Sequence, residues 1–93
     1  MEIKATVRTE DFGTAGSRRL IKKGFFPGVV YGKDMKNIYI VLNQKDFSIT
    51  MRDLLLKDEV TLVIDGKPMQ VIFQAYQENL FKGIFNSADF KEI

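Results

Sequence analysis

The chain has 93 residues, enough for one domain with one modest core, and its 45% hydrophobic and 28% charged residues are ordinary for a folded globular chain. Cysteine and histidine are both absent, which excludes disulfides, thiol nucleophiles, the common zinc ligand sets and imidazole acid-base catalysis, and with them most enzymatic readings. The net charge is only +2, yet ten basic residues stand against five acidic ones up to Arg52, and four against seven after it. No acid lies between Asp11 and Asp34, so positive potential gathers on that segment and favours a polyanionic partner.

In chain order, "IKATVRT" alternates and predicts a half-buried strand, with Ile3, Ala5 and Val7 on one face and Lys4, Thr6 and Arg8 on the other. "EDFGTAG" breaks the pattern, and "SRRLIKKG" predicts a short helix stopped by Gly24, with Lys22 and Lys23 suited to the negative end of its dipole. Pro27 forbids helical continuation; "GVVYG" is a short strand, and Phe25, Phe26 and Pro27 are assigned to the core. A polar turn at "KDMKN" leads to "IYIVLN", whose Ile38, Ile40 and Leu42 share a face. Asn43 then caps a helix expected to run to about Leu55, with Phe47, Met51, Leu54 and Leu55 as its apolar stripe.

Asp65-Gly66 marks a hairpin turn between two β-rich runs. Val60, Leu62 and Ile64 are expected inward on the first run, and Met69, Val71, Phe73 and Ala75 on the second. "GIFNSADF" supplies one more strand. There is no repeat or linker, so residues 1–93 are read as a single domain. So many short strands, with helices too few to cover both faces of a sheet, predict a mainly β fold: a small barrel or strongly curved sheet plugged by helices. The sequence has no apolar run of signal-peptide length and none of the roughly 20 residues a membrane span needs, so a cytoplasmic location without membrane contact is expected.

Ser17-Arg18-Arg19 is the strongest candidate site. Serine is a short donor and paired arginines hold phosphate or a guanine edge bidentately, while the preceding glycines would let the backbone approach a ligand. The alternative is an exposed helix end with a serine cap and solvated arginines. Tyr31 and Phe26 either stack on a base or ribose, worth about 1–3 kcal/mol, or fill the core. Gln74 lies on the polar face beside Phe73, whereas Gln77 falls on the apolar parity and needs a bulge or a strand end to escape it. Asp89 has the chemistry to accept from a base amino group. "GTAGSRR" lacks the Lys-Ser/Thr ending of a nucleotide phosphate loop, and the acids of "DLLLKDE" (Asp53, Asp58 and Glu59) have no metal-ligand rhythm. No cofactor is expected.

"GSRRL" after a strand ending in "VR", then "FPGVVYG", the "VIDGK" hairpin, Gln74, Gln77 and the terminal Asp89-Phe90 follow one another in a specific order. In these the chain resembles, from end to end, the family of bacterial large-subunit ribosomal protein twenty-five, which binds 5S rRNA and whose longer relatives include the general stress protein CTC. The resemblance implies a six-stranded β-barrel with two or three short flanking helices, akin to the anticodon-binding domains of glutaminyl-tRNA synthetase, seated on the loop-E helical region of 5S rRNA. It implies that Arg8, Ser17, Arg18 and Arg19 meet phosphates and sugars, that Tyr31 packs on the backbone, and that Gln74, Gln77 and Asp89 reach base edges from the minor groove. Lys22 and Ser87 complete the expected RNA-binding set, and the expected partners are 5S rRNA and the large ribosomal subunit.

The chain departs from that family where a basic stretch followed by proline is usual after the second glutamine, and where a histidine is usual two residues before the terminal Asp-Phe. Here these positions are Glu78-Asn79-Leu80 and Ser87. An acid would thus stand on an RNA-facing edge, and Leu80, Phe81, Ile84 and Phe85 make the loop apolar enough to contact a protein. Phe85 is expected in the core and Phe81 in solvent. Two other readings stay open: a diverged, non-ribosomal or stress-related paralogue that binds a protein through Leu80–Phe85, and a tRNA-binding accessory module.

Overall fold

Eight elements succeed one another in the computed structural model, which describes every residue except 35: β1 (Glu2–Val7), α1 (Gly13–Lys22), β2 (Phe25–Tyr31), β3 (Ile38–Asn43), α2 (Gln44–Thr50), β4 (Glu59–Ile64), β5 (Lys67–Asn79) and β6 (Ile84–Glu92). The strands close into a barrel in the order β1-β3-β2-β6-β5-β4. Two parallel pairings, β1 with β4 and β2 with β6, join segments distant in sequence; the other neighbours are antiparallel. The expected small barrel with flanking helices is therefore the fold. The polar turn expected over 33–37 joins β2 to β3, and its central residue, 35, lies outside the described residues. Among the described residues no helix is long and apolar enough to cross a membrane.

Closure gives the sheet a single interior, which every second side chain of each strand shares. Ile3, Ala5, Phe26, Val30, Ile40, Leu42, Val60, Leu62, Ile64, Val71, Phe73, Ala88 and Phe90 fill it. One end is plugged by α2, whose Phe47 sits edge-on to Phe26, Phe73 and Phe85 with ring centroids 5.2, 5.9 and 4.9 Å away. Asn43 caps this helix as expected, its side chain accepting from the Asp46 N–H at 3.0 Å. The next residue, Gln44, ties the plug to the wall: its Oε1 accepts from Phe85 N at 2.8 Å and its Nε2 donates to Phe85 O at 2.6 Å.

Several local expectations are corrected. α2 stops at Thr50 rather than near Leu55, because the chain turns to pair with β5: Lys57 N–H donates to Phe73 O and Phe73 N–H to Asp58 O. Leu54 stays in the core while Leu55 is exposed. α1 starts at Gly13, four residues before Ser17, so Ser17 is no cap; its hydroxyl donates to Gly13 O within the helix at 3.0 Å. Gly16 serves the fold rather than a ligand, since a Cβ there would fall 1.9 Å from the Asp11 carbonyl oxygen. Val7 is exposed, because β4 accompanies β1 only as far as Ala5 and the Asp65 side chain takes over the Val7 N–H. Phe25, at the start of β2 opposite Asn43, is partly exposed, although Phe26 is fully buried.

Two bulges in the β5-β6 pair decide which side chains face outward there. Phe73 opposes Phe90, yet Ala75 opposes Asp89, so Gln74 is an extra residue in β5. Beyond it, side-chain parity is reversed: Ala75 turns outward, against expectation, and Gln77 joins it outside opposite Ser87. A second shift, between Gln77 and Glu78, makes Asn86 the extra residue of β6 and puts Glu78 opposite the buried Phe85. The placement expected for Phe81 and Phe85 holds: Phe85 is 6% exposed and Phe81, at the hairpin tip, is fully exposed. Phe85→Ser should therefore cost at least about 3 kcal/mol in urea melts, and Phe81→Ser under about 0.5 kcal/mol. The reverse order would contradict this packing.

Candidate nucleic-acid interface

The outward side chains of four adjacent strands make one continuous surface. Val29 of β2 lies opposite both Tyr39 of β3 and Asp89 of β6, and Asp89 lies opposite Ala75 of β5, so one row crosses four strands, roughly 14 Å at the usual strand spacing. Ser87 opposite Gln77 forms the next row on the β6-β5 side, and Tyr31 opposite Lys91 borders the first row on β2 and β6. Gln74, the bulge residue, shares the stretch of β5 that faces Asp89. The Tyr31 hydroxyl lies 3.5 Å from Asp89 Oδ2, and the Asp89 charge, with help from lost hydration, raises the phenol's pKa. The phenol thus remains a neutral donor.

Arg8 joins this sheet surface to α1. Its backbone N–H donates to Tyr39 O at 2.8 Å, and its side chain lines a shallow groove of about 170 Å³ with Tyr39, Ser87 and Asp89. Its guanidinium lies 5.1 Å from the centroid of the Phe12 ring, and Nη2 donates to the Asp11 carbonyl and reaches Ser17 Oγ at 3.4 Å. Phe12 in turn meets Tyr39 edge-on, with centroids 6.4 Å apart.

On α1, Gly16 and Leu20 face the barrel, which sends Arg18 and Lys22 to the opposite side of the helix and leaves Arg19 and Lys23 on its flank. There Arg19 Nε meets Asp11 Oδ1 at 2.7 Å, and Lys23 Nζ lies 3.7 Å from Asp11 Oδ2. Among the described residues these are the two ion pairs, and neither involves Arg18 or Lys22.

A surface of amides, a hydroxyl, a carboxylate and exposed aromatics, flanked by a cationic helix, suits a folded polyanion and offers no nucleophile paired with a base. Among the described residues no group of three or more potential metal ligands occurs. The model of the Ribosomal L25p family matches residues 3–90. This chain belongs to that family. It is 41% identical over 93 residues to the "Large ribosomal subunit protein bL25" of Vibrio parahaemolyticus, 40% to that of Vibrio campbellii and 39% to that of Photobacterium damsela subsp. piscicida, each match covering 100% of both chains. Membership in the Ribosomal L25p family makes its role structural rather than enzymatic.

Within this family member, the sequence-predicted residues fall into two groups. Arg8, Tyr31, Gln74, Gln77, Ser87 and Asp89 are brought together on the sheet surface, and Ser17 adjoins them through Arg8. Arg18, Arg19 and Lys22 stay on α1, pointing in two directions. Glu78 differs from expectation: it shares Phe85's side of the hairpin and not the side of Gln77 and Ser87, so its charge stands off the surface row. Sequence reasoning missed Tyr39, Phe12 and Lys23. The signal for Tyr39 was present, since placing Ile38, Ile40 and Leu42 inward leaves an aromatic on the outer face.

The Asp11 carboxyl is held below the usual aspartate range, chiefly by the Arg19 hydrogen bond, partial desolvation opposing it, with the Arg19 and Lys23 charges adding to the lowering. Because the folded value is depressed, the ion pair stabilises the fold above the ordinary aspartate range, and that contribution is lost as pH falls through the folded value. In an NMR titration, Arg19→Gln should raise the Asp11 midpoint, and Lys23→Gln should raise it less. An unmoved midpoint in Arg19→Gln would mean that the pair does not form in solution.

Proposed function

We propose that this protein is a structural component of the large ribosomal subunit that binds 5S rRNA through the outer surface of β2, β6 and β5 together with Arg8 and α1. The observation that carries the reading is the joining of two unlike parts by one residue: Arg8 touches Ser17 on the helix and lines the groove that holds Ser87 and Asp89. Cations with a hydroxyl on one side suit phosphates and 2′-hydroxyls, which fix register; amides and a carboxylate on the other suit base edges in a wide minor groove, which specify sequence. The naming of three relatives as large-subunit proteins supports the ribosomal part. The choice of 5S rRNA, and of its loop-E region, rests on the resemblance carried by "GSRRL", "FPGVVYG", Gln74, Gln77 and Asp89-Phe90.

On this reading Arg18 and Lys22, which no acid pairs among the described residues, are the freest phosphate contacts on the helix. Tyr31 lends a flat ring, and Gln74, Gln77, Ser87 and Asp89 read the groove. The protein works in the cytoplasm, on the ribosome, and needs no cofactor.

A second contact is favoured by the hairpin tip. Leu80 and Phe81 are 80% and 104% exposed on a turn that is nonetheless ordered, with Lys82 N–H donating to Asn79 Oδ1 at 3.2 Å and Gly83 at φ 64°. A fully exposed phenylalanine on a built turn fits a protein neighbour on the subunit.

The direct test is whether the purified protein shifts 5S rRNA and co-sediments with large subunits; failure of both overturns the proposal. Changing Arg18 and Arg19 together to alanine should weaken binding and flatten its log-log salt dependence by about one to two units. Glu78→Arg, which adds charge off the surface row, should change affinity by less than about twofold at physiological salt, where the screening length is short. Phe81→Ser should leave affinity for isolated 5S rRNA intact while reducing retention on large subunits.

A further inference from the structure

Asp11 is an acid at the edge of a surface that otherwise collects cations, and a simple charge argument says it should hinder RNA binding. Its environment says otherwise. The backbone there takes the left-handed conformation, φ 57°, in a residue that is not glycine. Four neighbours hold it: Arg8 Nη2 donates to its carbonyl oxygen, Gly16 packs against its backbone so closely that no Cβ would fit, and Arg19 and Lys23 meet its carboxylate. The side chains are layered as well. Asp11 is 15% exposed, whereas Arg19 and Lys23 are 56% and 60% exposed, so an approaching anion meets the cations first and the carboxylate lies behind them.

The contact to Arg19 is made through Nε. A guanidinium held at Nε has its plane restrained and leaves its two Nη groups, which together can still contact a phosphate bidentately, facing away from the holder. We infer that Asp11 is a positioning residue for RNA binding: it fixes Arg19 and Lys23, and through its carbonyl Arg8, so that their free donors are presented to phosphates in advance. The inference rests on the RNA-binding reading above. It reverses the sign that charge alone predicts, because removing a negative group from this surface should lower affinity rather than raise it. The gain comes from lost freedom already taken from long, flexible side chains before the ligand arrives.

The test uses two substitutions that suit the left-handed backbone, Asp11→Asn and Asp11→Gly. Asparagine keeps an acceptor for Arg19 Nε without the charge; glycine removes both. In the free protein, the Arg19 Nε–H resonance should be slowly exchanging in the parent and fast in Asp11→Gly, a readout that needs no RNA. With 5S rRNA as the probe, Asp11→Gly should bind roughly fivefold more weakly, and Asp11→Asn should fall between it and the parent, a coupling of the size found between contacting residues. In an Arg19→Lys background, which keeps the charge but not the planar fork, the Asp11 substitutions should have much less effect. A far-UV spectrum and melting curve for each variant separate positioning from misfolding. If the parent binds 5S rRNA and both Asp11 variants, still folded, bind equally or more tightly, Asp11 masks or ignores the cations and the inference is overturned. If the parent itself does not bind, the RNA reading fails, while the Nε–H result still reports whether Asp11 holds Arg19.

Discussion

Parallel pairing of β1 with β4 closes the sheet on itself, and most of what is specific to this protein depends on that closure. A closed ring has one inside and one outside, so each strand must satisfy the same alternation, and an interior this small is filled by side chains from every strand at once. Phe47 completes the filling from α2, with three aromatic neighbours, and Gln44 secures it by bonding both backbone groups of Phe85. With the interior committed to packing, function is left to the outer surface. The outward row from Tyr39 through Val29 to Asp89 and Ala75 is the other side of the same alternation.

Strand existence and type were legible because alternation is a local property, and so were the turn at Asp65-Gly66, the Asn43 cap and the Gly24 stop. Where alternation is interrupted, legibility ended. Nothing in "VIFQAYQEN" marks Gln74 as the extra residue, since a bulge is fixed by the register against β6, a partner that the strand's own residues do not encode. The sequence did pose the question, by placing Gln77 on the apolar parity, and the bulge answers it. Ala75 and Glu78 were misplaced for the same reason. The length of α2 was misjudged because tertiary pairing of residues 57–58 with Phe73 outweighs the helical stripe that continues to Leu55.

The candidate site shows a similar division. Cationic and amide-bearing residues are recognisable by type, and the assembly of Arg8, Tyr31, Gln74, Gln77, Ser87 and Asp89 on one surface requires the barrel. What type alone misassigned was the purpose of the glycines: Gly16 lets the chain approach itself at Asp11. The Ser17-Arg18-Arg19 run is also less uniform than its spelling. Ser17 faces Arg8, Arg18 points away from the barrel, and Arg19 is held by an acid that lies eight residues earlier in the chain.

The two parallel pairings carry a consequence for how the protein comes into being on a ribosome. Tyr31 and Asp89, which meet on the outer surface, are 58 residues apart in sequence, as are Val7 and Asp65, which meet where the ring closes. Contacts this distant incur their loop-closure entropy before any packing rewards it, so the fold has high contact order and no N-terminal fragment can stand in for it. During synthesis β1, α1, β2 and β3 emerge with their inner faces unpaired, and β2 waits for the strand made last. The nascent chain therefore displays the cationic helix well before it owns the amide and carboxylate row. On the proposed RNA-binding reading, its early encounters with RNA are governed by charge alone, and selectivity arrives only when β6 slots in beside β2.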